Sequence, residues 1–183
     1  NVNSARSNKP FNEVVDEQTT TWYWQDSQTS NIPSSNIDEY SENHGAYFEP
    51  REDRKGDIAR TMFYFYTMYS DVADEYFFAV QKDILKTWHE QDPINEDEIT
   101  RTWQIAGYQE DKPNPFILDE TLVERAYSLR GDMNGDGELN ILDVVALVNI
   151  ILNGSEPNPL GDMNGDGAYN ILDVVILANI ILS

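Results

Sequence analysis

The stretch GDMNGDGELNILDVV at 131–145 returns 30 residues later as GDMNGDGAYNILDVV at 161–175. Across 131–152 and 161–182 the copies agree at 18 of 22 positions. A loop of Asp, Asn and Gly buries almost nothing, so something other than a core must hold it. Counted from Asp132, oxygen-bearing side chains fall at alternate positions: Asp132, Asn134, Asp136, Glu138 and Asn140, then Asp143 at the twelfth. The second copy places Asp162, Asn164, Asp166, Ala168, Asn170 and Asp173 at the same positions. Gly137 and Gly167 occupy the sixth position, where a sharp bend needs a residue without a side chain.

This is the ligand spacing of an EF-hand loop, and calcium chemistry explains it. Ca²⁺ takes six to eight hard oxygens, and alternate positions turn short oxygen side chains toward one point. The seventh position lends only its carbonyl, so Glu138 and Ala168 can differ. The twelfth is Asp where Glu is usual, and the shorter arm draws the following segment closer. VVALVNIIL (144–152) and VVILANIIL (174–182) are expected as helices starting at those Asp residues. They are apolar nearly all round and need cover from each other or from a partner. At about nine residues each they are too short to span a membrane.

A loop-plus-helix written twice, with no helix before the first loop, resembles the dockerin type I domain over about 131–182. The resemblance implies two Ca²⁺ sites and a module that anchors secreted proteins to cohesin domains. Loop positions 10 and 11 help dockerins choose their cohesin and are often small and polar. Here they are Ile141-Leu142 and Ile171-Leu172. These four are the partner-binding candidates. The other reading is a calcium-stabilised tail that packs on its own chain.

The front of the chain is different. All 12 Lys and Arg of the 183 residues lie before position 131, against 25 Asp and Glu there, and the net charge of the chain is −21. Such a chain has no general electrostatic pull toward nucleic acid. With no Cys it has no disulfide, thiolate metal site or Cys nucleophile. It starts with Asn rather than Met and reads as a mature form or a fragment.

Residues 1–50 read as loops and short strands, with TTTWYWQD (19–26) the clearest strand. KGDIARTMFYFYTMYS (55–70) then reads as a helix with Ile58, Met62, Phe65, Tyr66 and Tyr69 inward, and the stripe Phe63 to Tyr66 plus Tyr69 as core. DEYFFAVQKDILKTWHEQ (74–91) reads as one helix carrying Phe77, Val80, Ile84 and Trp88. Asn95 and Glu98 fit an N-cap and its N3 partner, opening a helix with Ile99, Trp103 and Ala106. Pro113 and Pro115 break the chain, and 119–129 forms a last short helix. Lys55, Asp57 and Arg60 read as structural, as do Glu49, His44 and His89.

In this order the chain carries VNSARSN (2–8), FEP (48–50), KGDIARTMFY (55–64), the Trp88 to Pro93 segment and NPFI (114–117). Together they resemble the bacterial endonuclease I family, secreted or periplasmic nucleases that degrade DNA, and sometimes RNA, with Mg²⁺. The resemblance implies a ββα-metal site, in which a His activates water and a Glu and an Asn hold one Mg²⁺. The family's Asn maps to Asn3, and Arg6 becomes a phosphate contact or scaffold. The Glu-His pair would precede VNSARSN. The expected fold class is α+β: a mostly helical, incomplete ββα-metal nuclease domain at 1–128, then a duplicated EF-hand-like dockerin module at 129–183. The expected function is a secreted, extracellular or cell-surface Mg²⁺-dependent endonuclease, with this piece inactive alone. The rival is a non-catalytic, calcium-dependent cohesin-binding scaffold protein that keeps a nuclease-like fold.

Overall fold

The computed structural model describes residues 2–154 and 158–183; of Val2 and Asn3 it describes the backbone only. The chain packs as two units, Asn1–Glu120 and Thr121–Ser183, dividing ahead of the expected 128/129 boundary because the last short helix packs with the second unit.

The first unit opens with a one-turn helix, α1 (Val2–Arg6). Strands β1 (Thr21–Trp24), β2 (Ser27–Thr29), β3 (Ser41–Asn43) and β4 (Phe48–Glu49) form an antiparallel sheet in the order β2-β1-β3-β4. Trp22 faces Glu42, and Glu42 faces Glu49 across the pairs, so all three share one face of the sheet. Helices follow: α2 (Lys55–Met68), α3 (Glu75–Ala79), α4 (Lys82–Gln91), α5 (Glu96–Ala106) and the single turn α6 (Pro115–Leu118). Their core gathers Phe63, Phe78, Leu85, Trp88 and Phe116, with Phe63 edge-on to Phe78 at 5.8 Å.

Four helical expectations are corrected. α2 buries Ala59, Phe63 and Tyr66 together with Lys55, Asp57 and Arg60, while Phe65 and Tyr69 face solvent. Its buried charges set the rotation. Lys55 Nζ meets Glu49 at 2.8 Å and Glu13 at 3.0 Å, and Arg60 grips Glu98 at 2.6 and 2.7 Å. The helix is therefore turned by about one residue, roughly 100°, from the face hydrophobicity suggests. Residues 74–91 are two helices, because Gln81 turns inward at the junction. Its amide donates to the Phe77 carbonyl at 2.7 Å and accepts the Phe11 N–H at 3.1 Å, satisfying backbone at the break. α5 is capped by Asn95, as its spacing implies, but Glu98 reaches Arg60 rather than back to the cap, and Trp103 is exposed. The Asn114-Pro115 pair starts a helical turn, where two prolines suggested only a break.

Burial pushes Glu42 up to about 7, opposed by a 2.5 Å hydrogen bond from the Thr19 hydroxyl. Asp16 and Glu52 add to the rise and Lys55 counters it. Burial likewise raises Glu49. A group whose folded pKa lies above its unfolded value holds its proton more tightly when folded. Its contribution is complete below about 4.5 and is lost as pH climbs through about 7. All four tryptophans (Trp22, Trp24, Trp88, Trp103) lie in the first unit, so their fluorescence reports its unfolding alone. That unit is predicted to melt higher at pH 5 than at pH 8, by an amount on the order of 1–3 kcal/mol, with the slope flattened in Glu42→Gln. An unchanged slope in that variant would assign the pH dependence elsewhere.

The second unit holds α7 (Leu122–Tyr127), α8 (Ile141–Asn153) and α9 (Ile171–Leu182). α8 and α9 pack together around Leu147, Met163, Val174 and Leu177. Both begin at Ile141 and Ile171, two residues earlier than expected. Asn140 and Asn170 are the N-caps, and Asp143 and Asp173 sit at N3 as the return arms of capping boxes. Among the described residues no helix is long and apolar enough to cross a membrane.

Candidate functional site

In the second unit the two loops are wound alike around their first carboxylate. Asp132 accepts the Gly135 N–H at 2.7 Å and the Gly137 N–H at 2.9 Å; Asp162 accepts those of Gly165 and Gly167 at the same two distances. This winding puts Gly137 and Gly167 at φ +82° and +79°, which only glycine adopts without strain. Asn134 and Asn164 accept the Asp136 and Asp166 N–H groups, and Asp136 and Asp166 accept those of Glu138 and Ala168. Bonds from the Glu138 N–H and from Asn134 hold Asp136 below the usual carboxylate range. Asp143 and Asp173 are fully buried. Asp143 takes the Met133, Asn134 and Asn140 N–H groups at 2.8, 3.3 and 2.8 Å, and Asp173 takes those of Met163, Asn164 and Asn170. The twelfth-position carboxylate thereby ties the loop entry to the helix start.

The donor set fits a hard cation. Each loop offers three aspartate carboxylates, two amide oxygens and a seventh-position carbonyl, all of them oxygens. Among the described residues no three acidic or imidazole side chains converge on one point by themselves. Their oxygens are bound by backbone N–H groups, and a cation would complete the set. Ile141, Leu142, Ile171 and Leu172 stand 56–66% exposed, one apolar pair beside each loop.

The glycines opening the repeats are not singled out by ligand spacing, although glycine stands first in both copies. Gly131 has φ +93° and donates to the Leu160 carbonyl at 3.0 Å; a side chain there would lie 2.6 Å from Leu177. At Gly161 it would lie 2.8 Å from Leu147. Each repeat's first residue thus packs against the other repeat's helix. Arg130 adds a hydrogen bond to the Asp162 carbonyl.

In the first unit, Arg6 closes α1. Its guanidinium lies 4.2 Å over the Phe11 ring, its Nε is buried without a hydrogen-bond partner among the described residues, and burial lowers its pKa. The side chain of Asn3 lies outside the described residues. His44 accepts the Ala46 N–H at 3.3 Å and stacks on Tyr47. His89 Nε2 is 2.8 Å from the Glu120 carbonyl, to which it must donate, so Nδ1 is the acceptor facing Arg60 at 3.3 Å. Both histidines are engaged in structural contacts.

A mixed α+β unit with these words, joined to a twin-loop helical module, defines a two-part protein. The endonuclease I family model matches residues 1–120 and the dockerin type I domain model matches 130–182. The chain belongs to the endonuclease I family and carries a dockerin type I domain. No curated protein and no solved structure matches it.

Proposed function

We propose that this is a secreted endonuclease, acting outside the cell or at its surface, that hydrolyses DNA with Mg²⁺ and docks on a cohesin through a calcium-folded module. The observation that carries this reading is the succession of the two family matches along one chain. RNA is the second substrate to test. Each loop would hold one Ca²⁺ through the oxygens at positions 1, 3, 5, 7, 9 and 12. Ile141, Leu142, Ile171 and Leu172 would form the cohesin face, since their exposed apolar surface gains most from cover. In the nuclease unit, Asn3 would help hold Mg²⁺, an ion that stabilises charge on a phosphate under attack. Arg6 would serve as a phosphate contact or as scaffold beside Asn3, the role its place in the VNSARSN word implies.

Because His44 and His89 are engaged, residues 1–183 are predicted to nick supercoiled plasmid slowly at most. The nicking should need Mg²⁺ at saturating Ca²⁺ and disappear in Asn3→Ala. Robust cleavage without Mg²⁺, or slow cleavage indifferent to Asn3→Ala, would contradict this site. No nicking at all is also what a piece without its general base would give; the second reading is a non-catalytic scaffold protein with a nuclease-like fold, which the engagement of both histidines supports.

A further inference from the structure

Three Asn-Gly pairs stand in this chain, Asn134-Gly135, Asn153-Gly154 and Asn164-Gly165, and all lie in the second unit. Glycine has no Cβ, so it leaves the backbone nitrogen after the asparagine unshielded. That nitrogen can attack the asparagine side chain. The bond from the glycine N to the asparagine Cγ forms and the Cγ–Nδ2 bond breaks. Nδ2 leaves as ammonia, taking the proton of the glycine N–H. Water then opens the cyclic imide at either carbonyl, giving aspartate or isoaspartate. Water is the co-reactant, and nothing is oxidised or reduced.

All six residues are exposed, so water reaches each pair. Hydrogen bonding is what separates them. In the first loop the nucleophile is occupied, because the Gly135 N–H donates to Asp132 at 2.7 Å. The side chain under attack is pinned at both ends. Asn134 Nδ2 donates to Asp136 at 2.8 Å, and its Oδ1 accepts the Asp136 N–H at 3.0 Å. The second loop repeats this, with the Gly165 N–H on Asp162 at 2.7 Å and Asn164 bonded to Asp166 at 2.8 Å in both directions. Asn153, the last residue of α8, has a side chain held by no hydrogen bond among the described residues.

We propose that Asn134 and Asn164 are calcium-gated modification sites. Loaded loops keep both amides, whereas loops emptied of calcium convert them to aspartate and isoaspartate, so that prolonged calcium loss becomes permanent. The inference rests on the reading of this unit as calcium-folded. Unfolding releases the bonds that restrain nucleophile and side chain, and an unfolded chain is open to covalent change that the folded one resists. Isoaspartate routes the backbone through the side-chain carbons. It adds a carbon atom to the loop at its third position, and the ligand oxygens that follow lose their spacing.

Peptide mass mapping of the full chain, held at one pH and temperature in calcium or in EGTA, tests this. Asn153 should show the mass change of amide to acid in both, which proves that the chemistry runs. Asn134 and Asn164 should show it at least about tenfold faster in EGTA, since saturating calcium suppresses the open form. When calcium is returned, the circular dichroism of α8 and α9 should recover fully after a short time in EGTA and less after each longer one. Asn153→Ser should leave that loss unchanged. Equal rates at the loop pairs in calcium and in EGTA would overturn the proposal. Full recovery after conversion would do so too, as would a loss of recovery that Asn153→Ser abolishes. Loops that unfold in EGTA yet keep their amides would fault this inference alone. Loops that stay folded and unconverted in EGTA would fault the calcium reading with it.

Discussion

Adding EGTA to the full chain should unfold residues 121–183 and leave 1–120 folded. The second unit has a small core, built on Leu147, Met163, Val174 and Leu177. After residue 130 it has no Lys or Arg to offset eight carboxylates. Asp132, Asp136 and Asp143 crowd one loop, and Asp162, Asp166 and Asp173 the other, so each loop repels itself until a cation joins it. For sites of this kind, the binding free energy is folding free energy. The far-ultraviolet circular dichroism should lose the α8 and α9 signal, while tryptophan fluorescence, which reports only the first unit, stays unchanged. Retention of the full helical signal in EGTA would remove calcium from the folding account. Crossed packing of Gly131 on Leu177 and of Gly161 on Leu147 makes both repeats unfold together.

Replacing Arg60 by Met should destabilise the first unit more than any exposed substitution, by about 3–5 kcal/mol. Arg60 is fully buried and binds both oxygens of Glu98, the Asp92 carbonyl at 2.9 Å, and His89. Its removal strands Glu98 and leaves Asp57 with Arg54 alone. Burial already pushes Glu98 toward its protonated form, and Arg60 is the main force opposing this. Loss on this scale should lower the tryptophan-monitored melting temperature by at least about 10 °C. The double variant Arg60→Met, Glu98→Met should recover much of it, because a buried pair replaced by apolar groups is often near neutral. A double variant no more stable than the single one would show that the cost comes from lost packing and not from a stranded charge.

The parts of this protein legible in its sequence are those where chemistry assigns one residue type to one position. The loops are such a case, since Asp132, Asn134, Asp136 and Gly137 each answer a requirement of metal or backbone. The helix starts are legible too, since Asn140 and Asp143 have the spacing of an N-cap and its N3 partner. The rotation of α2 and α5 was not. Hydrophobic periodicity treats Lys55, Arg60 and Glu98 as outward, yet each finds a partner far along the chain and turns its helix to reach it. The break at Gln81 was hidden for the same reason, because its partner is the Phe11 backbone, 70 positions away. Of the proposed nuclease site, the roles of Asn3 and Arg6 rest on the word that contains them.

The central claim is that a nuclease-family unit carries a docking module assembled by calcium. Calorimetry of the full chain against a panel of type I cohesins, in calcium and then in EGTA, tests it most directly. The account predicts one-to-one binding to at least one cohesin in calcium, lost in EGTA and lost when Ile141, Leu142, Ile171 and Leu172 are all changed to Asp. Binding that persists in EGTA, or no binding to any cohesin by a chain shown to be calcium-folded, would contradict it.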